Sequence, residues 1–355
     1  MSDFAGLLGN LKQSAQRVKE DTTAGRSTTG SSDGGRRKGK QQQYQQRKRP
    51  AGFHPQDHSG SSAAKRRRTP REPADKRELT LSISFLCIGA QKSGTTWLHE
   101  LLSKHPSLCL PAEKEVHFWD WNRRKGLGWY CRQFTRGRDG NADVRYGECT
   151  PCYITLPESD IEEVRTLFPK VKLIFIARDP VDRAWSALLM ELRNAVRGVE
   201  VGKFSINDRT DNRHLEQMDK ESNPDKYDDT YFMDRLRHST HRDRCDYASG
   251  LQRWLKYFDD KQLLIIDYNE IAQNPRETLE KICWHIGVDS KALLDLLSDQ
   301  ELRKRKNAAV GSTKDKQIRP SLRKKMEAHL RPAAISFNKL LQQLGYTDFR
   351  VSEYK

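Results

Sequence analysis

The sequence predicts an α/β chain: a P-loop-type three-layer domain around a central parallel sheet, preceded by a disordered basic N-terminal tail. Three observations carry this. Short apolar runs alternate with helix-like stretches between residues 79 and 355. The first run ends in a tight turn of Gly, Lys, Ser and Thr. Apolar residues make up only 35% of the 355-residue chain, too few for a chain folded throughout, and the deficit lies before residue 79.

Residues 1–78 hold 18 Lys/Arg against 8 Asp/Glu, a net of +10 out of the chain's +16. Ser, Thr, Gly and Gln dominate 22–75, broken by basic clusters at Arg36–Lys40, Arg47–Arg49 and Lys65–Arg68. Such a segment buries too little apolar surface to offset its conformational entropy, so disorder is expected. The second and third clusters have the form of a two-part nuclear import signal. The same charge suits an anionic partner such as nucleic acid, a polyanionic glycan or a membrane surface. A solvated tail without a dedicated partner is the third reading. Ahead of it, Phe4, Leu7, Leu8, Leu11, Ala15 and Val18 fall on one helical stripe, read as a short marginal helix or, alternatively, a partner-binding or surface-seeking one.

The folded part, 79–355, opens with the apolar run Leu81–Ile88, a buried strand ended by Gly89. A turn follows, then the helix-like Trp97–Leu102. A second buried run, Val171–Ala177, is followed by a helix starting near Pro180, where a missing backbone donor costs nothing. A third, Leu263–Ile266, follows the helical stretch Tyr247–Phe258. Strands alternating with helices imply parallel β-α-β units covered on both faces, with ligands at the strands' carboxyl ends. Residues 198–243 are polar, charge-rich and without clear period, the pattern of an insertion or lid on the substrate side. Residues 301–319 read as a basic loop, and Ser321–Leu344 as a closing helix.

The turn Gly89-Ala90-Gln91-Lys92-Ser93-Gly94-Thr95-Thr96-Trp97-Leu98 exposes backbone N–H groups at a helix start, an anion site by geometry and dipole. Lys92 adds a full charge, and Ser93, Thr95 and Thr96 add hydroxyls. In an ATP loop the last Gly is followed directly by Lys and then Ser/Thr. Here Lys92 precedes Gly94, and Thr95 takes the usual Lys position. A second signal is Arg178-Asp179-Pro180-Val181-Asp182-Arg183-Ala184-Trp185-Ser186. It sets Arg178 at a strand end and Ser186 about two helical turns on.

Together the two segments resemble the cosubstrate motifs of sulfotransferases that use 3′-phosphoadenosine 5′-phosphosulfate (PAPS). That resemblance implies PAPS as cosubstrate and no metal. It implies that Lys92, Ser93, Gly94, Thr95, Thr96 and Trp97 hold the 5′-phosphosulfate, and Arg178 and Ser186 the 3′-phosphate. Glu113–Asp120, Gly126–Tyr130, Gly147–Tyr153 and Tyr247–Leu255 are similar in place and order to the branch of heparan sulfate N- and 3-O-sulfotransferases and bacterial relatives. The likeness covers roughly residues 83–290. It implies Glu115 as the base taking the acceptor's proton, His117 as its orienting partner, and Lys92 as a stabiliser of the leaving oxygen. Strand alternation would set Glu115 and His117 on one side of an extended stretch. The acceptor is expected to carry a hydroxyl or amine, as a glycan or small metabolite does.

The chain also departs from that branch. Cys149 stands where the heparan-type enzymes carry a Lys. Cys149 and Cys152 have redox spacing, and a zinc site would need a second ligand pair, which the pattern does not supply. The late adenine loop matches poorly, with Asn307, Lys314, Lys316 and Arg319 as candidates. Two other readings stand beside the first. An ATP- and magnesium-dependent P-loop kinase or nucleotidase is opposed by the displaced Lys and by the Arg178/Ser186 pair. A nucleic-acid-binding protein with an inactive domain is opposed by a tail without interleaved aromatics. Seven dispersed cysteines, no apolar run of about 18 residues and no secretory pattern lead to the expectation of a soluble chain without a membrane span, cytoplasmic, with the nucleus as alternative.

Overall fold

The computed structural model describes residues 81–134, 144–196, 223–304 and 317–354. The expected tail, 1–78, lies outside them, as do 197–222 and 305–316.

Five parallel strands form one sheet: β1 (Ile83–Gly89), β2 (Leu108–Cys109), β3 (Arg145–Cys149), β4 (Lys172–Ala177) and β5 (Leu263–Asp267). Their order is β2-β3-β1-β4-β5. The pairs Cys87↔Cys149 and Cys87↔Ile174 show β1 flanked on both sides, as its unbroken apolar run requires. The three strands legible as apolar runs are those at the centre and one edge. Strands β2 and β3 were not anticipated: one has two residues, and the other begins Arg145-Tyr146-Gly147-Glu148, too polar to stand out. Gly147 has no side chain because the Phe85 ring of β1 fills the space a Cβ would need.

Side chains along β4 alternate between two cores. Leu173, Phe175 and Ala177 pack with α3 (Glu158–Leu167), α7 (Tyr247–Leu255) and the second half of α12 (Pro320–Gln343). Ile174 and Ile176 pack with α1 (Thr95–Leu102) and α9 (Pro275–Ile286) on the opposite face. That division makes the three layers, with burial of these side chains worth about 1.5–3 kcal/mol each. Helix α2 (Leu127–Arg132) lies between β2 and β3 in sequence, and α8 (Tyr268–Gln273), α10 (Ser290–Leu294) and α11 (Asp299–Arg303) belong to the C-terminal run.

A third cluster joins α4 (Pro180–Val196), α5 (Asp229–Arg237) and the first half of α12. Here the expectation for 198–243 needs revision. Its described part, from residue 223, holds α5 and α6 (Ser239–Cys245). Phe232, Met233 and Leu236 are buried against Val181, Leu188 and Leu322. Three apolar residues among nine hide the stripe in a charged segment, and Asp228 caps the helix by accepting from the Tyr231 N–H at 2.8 Å. Likewise the expected loop 301–319 begins inside α11, which is fixed by a capping box of Ser298 and Glu301.

Candidate active site

Because every strand is parallel, the segments after β1, β3, β4 and β5 leave the sheet at one edge. The loop after β1 is drawn toward β4 by an Ala90 N–H donating to the Ile176 carbonyl at 3.0 Å. Lys92 (φ 69°) and Gly94 (φ 85°) both take left-handed backbone to make the turn. A Cβ at Gly94 would meet Ile271 at 3.0 Å, so Gly fits on two counts. Helix α1 then starts without a side-chain cap. Ser93 is fully buried, and its Oγ has no partner among the described residues. Thr95 is buried at the helix start. Trp97 is turned away: it sits in the core, and its Nε1 donates to the Leu302 carbonyl at 2.8 Å.

Arg178 meets this loop directly. Its guanidinium donates to the Lys92 carbonyl at 2.9 Å and lies 4.7 Å from the centre of the Tyr268 ring. Ser186 is half-buried on α4. The Asp179 carboxylate, accepting from the Val181 and Asp182 N–H groups, starts that helix. Burial lowers the Lys92 ammonium to about 8, and repulsion from Arg193 and Arg178 adds to the effect. A cationic cluster this crowded is poised for an anion.

Glu115 and His117 come to the same edge, but not as strand neighbours. Both have positive φ, 67° and 51°, a strained backbone of the kind that gathers at functional sites. Glu115 is paired with Lys114, and its other oxygen lies 3.4 Å from His117 Nε2. Burial pushes the Glu115 carboxyl up, but the Lys114 ammonium and His117 outweigh it and hold it near 2. Burial likewise lowers His117, while its bonds to Asp120 and Glu115 raise it to about 9. At neutral pH the pair is therefore a carboxylate and an imidazolium. His117 Nδ1 lies 2.8 Å from the Asp120 carboxylate, and its ring stacks on exposed Trp121 with centroids 3.7 Å apart.

Sequence reasoning gave no role to Glu148, Tyr130 or Tyr153. Glu148 is buried and accepts from Tyr130 (2.6 Å), Thr150 (2.7 Å) and Tyr153 (3.0 Å). The Tyr153 hydroxyl in turn accepts from the Phe118 N–H at 2.9 Å. A Glu and two Tyr within segments already matched to a family were the available signal. Cys149 and Cys152 are both unbonded and do not share surroundings. Cys149 faces the core beside Cys87, whereas Cys152 accepts from Arg244 at 3.3 Å. Of the late-loop candidates, Asn307, Lys314 and Lys316 lie outside the described residues. Arg319 is held by Asp229 at 2.5 Å and the Tyr227 carbonyl at 2.7 Å.

A strand-turn-helix anion loop, an arginine reaching it from the neighbouring strand, and a carboxylate–imidazole pair define an α/β protein of the phosphate-binding, group-transfer kind. The chain belongs to the family described as the sulfotransferase domain, which matches residues 83–337. It is 29% identical over 283 residues to the mouse bifunctional heparan sulfate N-deacetylase/N-sulfotransferase 4, covering 74% of this chain and 30% of that protein. It is 26% identical to the membrane-associated sulfotransferase kil1 of Dictyostelium discoideum, over 56% of this chain and 55% of the relative. It is 27% identical to the mouse heparan sulfate glucosamine 3-O-sulfotransferase 5, over 56% and 51%. The chain thus spans about a third to a half of these relatives. Among solved structures, the sulfotransferase from Alicyclobacillus acidocaldarius aligns with a TM-score of 0.49 and 22% identity, over 73% of this chain and 96% of that one. No helix among the described residues is long and apolar enough to cross a membrane.

Proposed function

We propose that the chain moves a sulfuryl group from PAPS to a hydroxyl or amine, with Glu115 taking the acceptor's proton. The observation that carries this reading is the bond from Arg178 to the Lys92 carbonyl, 2.9 Å long. It ties an arginine suited to a 3′-phosphate to the loop suited to a 5′-phosphosulfate. The orphaned Ser93 hydroxyl supports it, since a donor oxygen would supply the missing partner.

In the reaction the sulfur–oxygen bond to the 5′-phosphate breaks as the bond to the acceptor forms. The acceptor's proton goes to Glu115, and adenosine 3′,5′-bisphosphate leaves. A carboxyl held near 2 is ionised and free of protons, but weakly basic. It therefore takes the proton late, once bond formation to sulfur has made that proton acidic. Lys92 offsets charge on the departing oxygen, which grows in the transition state. His117, fixed by Asp120, keeps Glu115 aimed. Residues 1–78 take no part in these steps and are proposed to be dispensable for them, in a chain acting in a reducing compartment.

The test is a mass-spectrometric screen with PAPS, chelator, and mixed glycan, phenol, steroid and small-metabolite acceptors. Sulfated product in the presence of chelator supports the reading. Turnover only with ATP and magnesium would overturn it.

A further inference from the structure

The cysteine spacing alone pairs Cys149 with Cys152, and the fold separates them. What it adds is a different pair. His117 and Asp120, on the loop after β2, come to Cys152 so that an imidazole nitrogen, a carboxylate oxygen and the sulfur lie within 4.8 Å of one another. We propose that His117, Asp120 and Cys152 form a three-ligand site for a borderline-soft divalent ion, zinc by its ligand chemistry, and that its occupancy shuts off the transferase. The second half rests on the function proposed above.

Imidazole, carboxylate and thiolate together suit zinc and do not suit magnesium or calcium, which take oxygen. Bonds of about 2.0–2.3 Å place tetrahedral ligand atoms about 3.5 Å apart. The ion would enter between Nδ1 and Oδ2, now 2.8 Å apart, and a rotation of Cys152 would bring its sulfur in. The fourth position is left to water. Burial pushes the Cys152 thiol up, and the Arg244 guanidinium, which donates to its sulfur at 3.3 Å, works against that rise. It leaves other lone pairs of the sulfur to bind. Trp121, stacked at an interplanar angle of 9°, fixes the ring plane.

The outer partner is also in place. Glu115 lies 3.4 Å from Nε2, on the far side of the same imidazole. Metal on Nδ1 would leave Nε2–H donating to that carboxylate, the carboxylate–histidine–metal arrangement that orients ligands in zinc proteins. The His117 and Cys152 protons pass to solvent. The ion would break the Nδ1–Asp120 bond that now fixes the ring, and His117 would no longer hold Glu115 where an acceptor's proton can reach it.

The probe for the site is cobalt(II) added to the purified full chain. One equivalent should give tetrahedral visible bands and a thiolate-to-cobalt band in the near ultraviolet. C152S should abolish the thiolate band, and D120N should weaken binding about 10- to 100-fold. A thiolate band that persists in C152S, or is missing from the natural chain, would overturn the site. The probe for the switch is zinc in a PAPS turnover assay. It should inhibit the natural chain, reversibly with chelator, and spare C152S, whose metal-free turnover is unchanged. A bound ion that leaves turnover untouched would overturn the switch. If neither protein turns over PAPS at all, the function above falls, while the cobalt spectra still decide the site.

Discussion

The Tyr153 hydroxyl joins Glu148 to the loop that carries Glu115, standing 3.0 Å from the Glu148 carboxylate and 2.9 Å from the Phe118 N–H. A buried carboxylate with three hydroxyl donors is a rigid anchor. Here it fixes the segment of Glu115 and His117, both on strained backbone. Y153F should therefore keep bisphosphate affinity and lose turnover, by about 10- to 100-fold if the loop shifts by a fraction of an ångström. E148Q should do the same. Calorimetry and turnover on the same preparations check the split, and unchanged turnover in both variants would remove Glu148 from the positioning of Glu115.

Lys92, held near 8 by burial and neighbouring Arg193 and Arg178, should respond to an anion. A bound phosphate raises its pKa, so binding near pH 8 takes up about half a proton, and affinity falls as pH rises past that point. Calorimetry of bisphosphate binding in buffers of different ionisation enthalpy reads the uptake. K92A should show none, together with weaker binding.

The Glu115–His117 pair sets a pH window for stability. Glu115 drops from an ordinary 4.5 to about 2, so its contribution is present above 4.5 and lost as pH falls toward 2. His117 rises from 6.5 to about 9, so its contribution is present below 6.5 and lost as pH climbs toward 9. Both act fully between 4.5 and 6.5. The natural chain's advantage over E115Q/H117Q in urea midpoint should peak near pH 5.5 and shrink at about pH 3 and 8.5.

Much of this site was legible because its signals are local. Lys92, Ser93 and Gly94 form one turn, and Arg178 follows an unmistakable apolar run. The positions of Glu115 and His117 were also readable, though their backbone was not: an extended stretch was expected, and the chain turns left-handed instead. What the sequence hides is pairing across distance. Nothing in the order of residues says that Tyr153 reaches Phe118, that Arg178 reaches the Lys92 carbonyl, or that the Cys152 sulfur comes within 4.8 Å of a His117 nitrogen. Charged helices were hidden too. In α5, Asp, Arg and Tyr surround three buried apolar residues, so the apolar period is masked. Trp97 misled for the opposite reason: its place in a binding motif drew attention from its role in the core.

E115Q keeps the side chain's volume and removes its useful basicity. Single-turnover rates should fall by about 10²–10⁴ while bisphosphate affinity holds. H117A should lose less, because the role proposed for His117 is only to orient the carboxylate. K92A should lose affinity and rate together. Near-normal turnover in E115Q would move the base to another group.

The central claim is that one edge of the sheet carries two anion sites joined at Arg178. Calorimetric titration with adenosine 3′,5′-bisphosphate and with adenosine 5′-phosphosulfate, which lacks the 3′-phosphate, tests it most directly. Charge-assisted bonds from a guanidinium are worth about 1.5–3 kcal/mol each, so the bisphosphate should bind at least tenfold more tightly. R178A should erase most of that difference, and ATP should bind poorly to both proteins. Equal affinity for the two nucleotides in the natural chain, or a preference that survives R178A intact, would contradict the account.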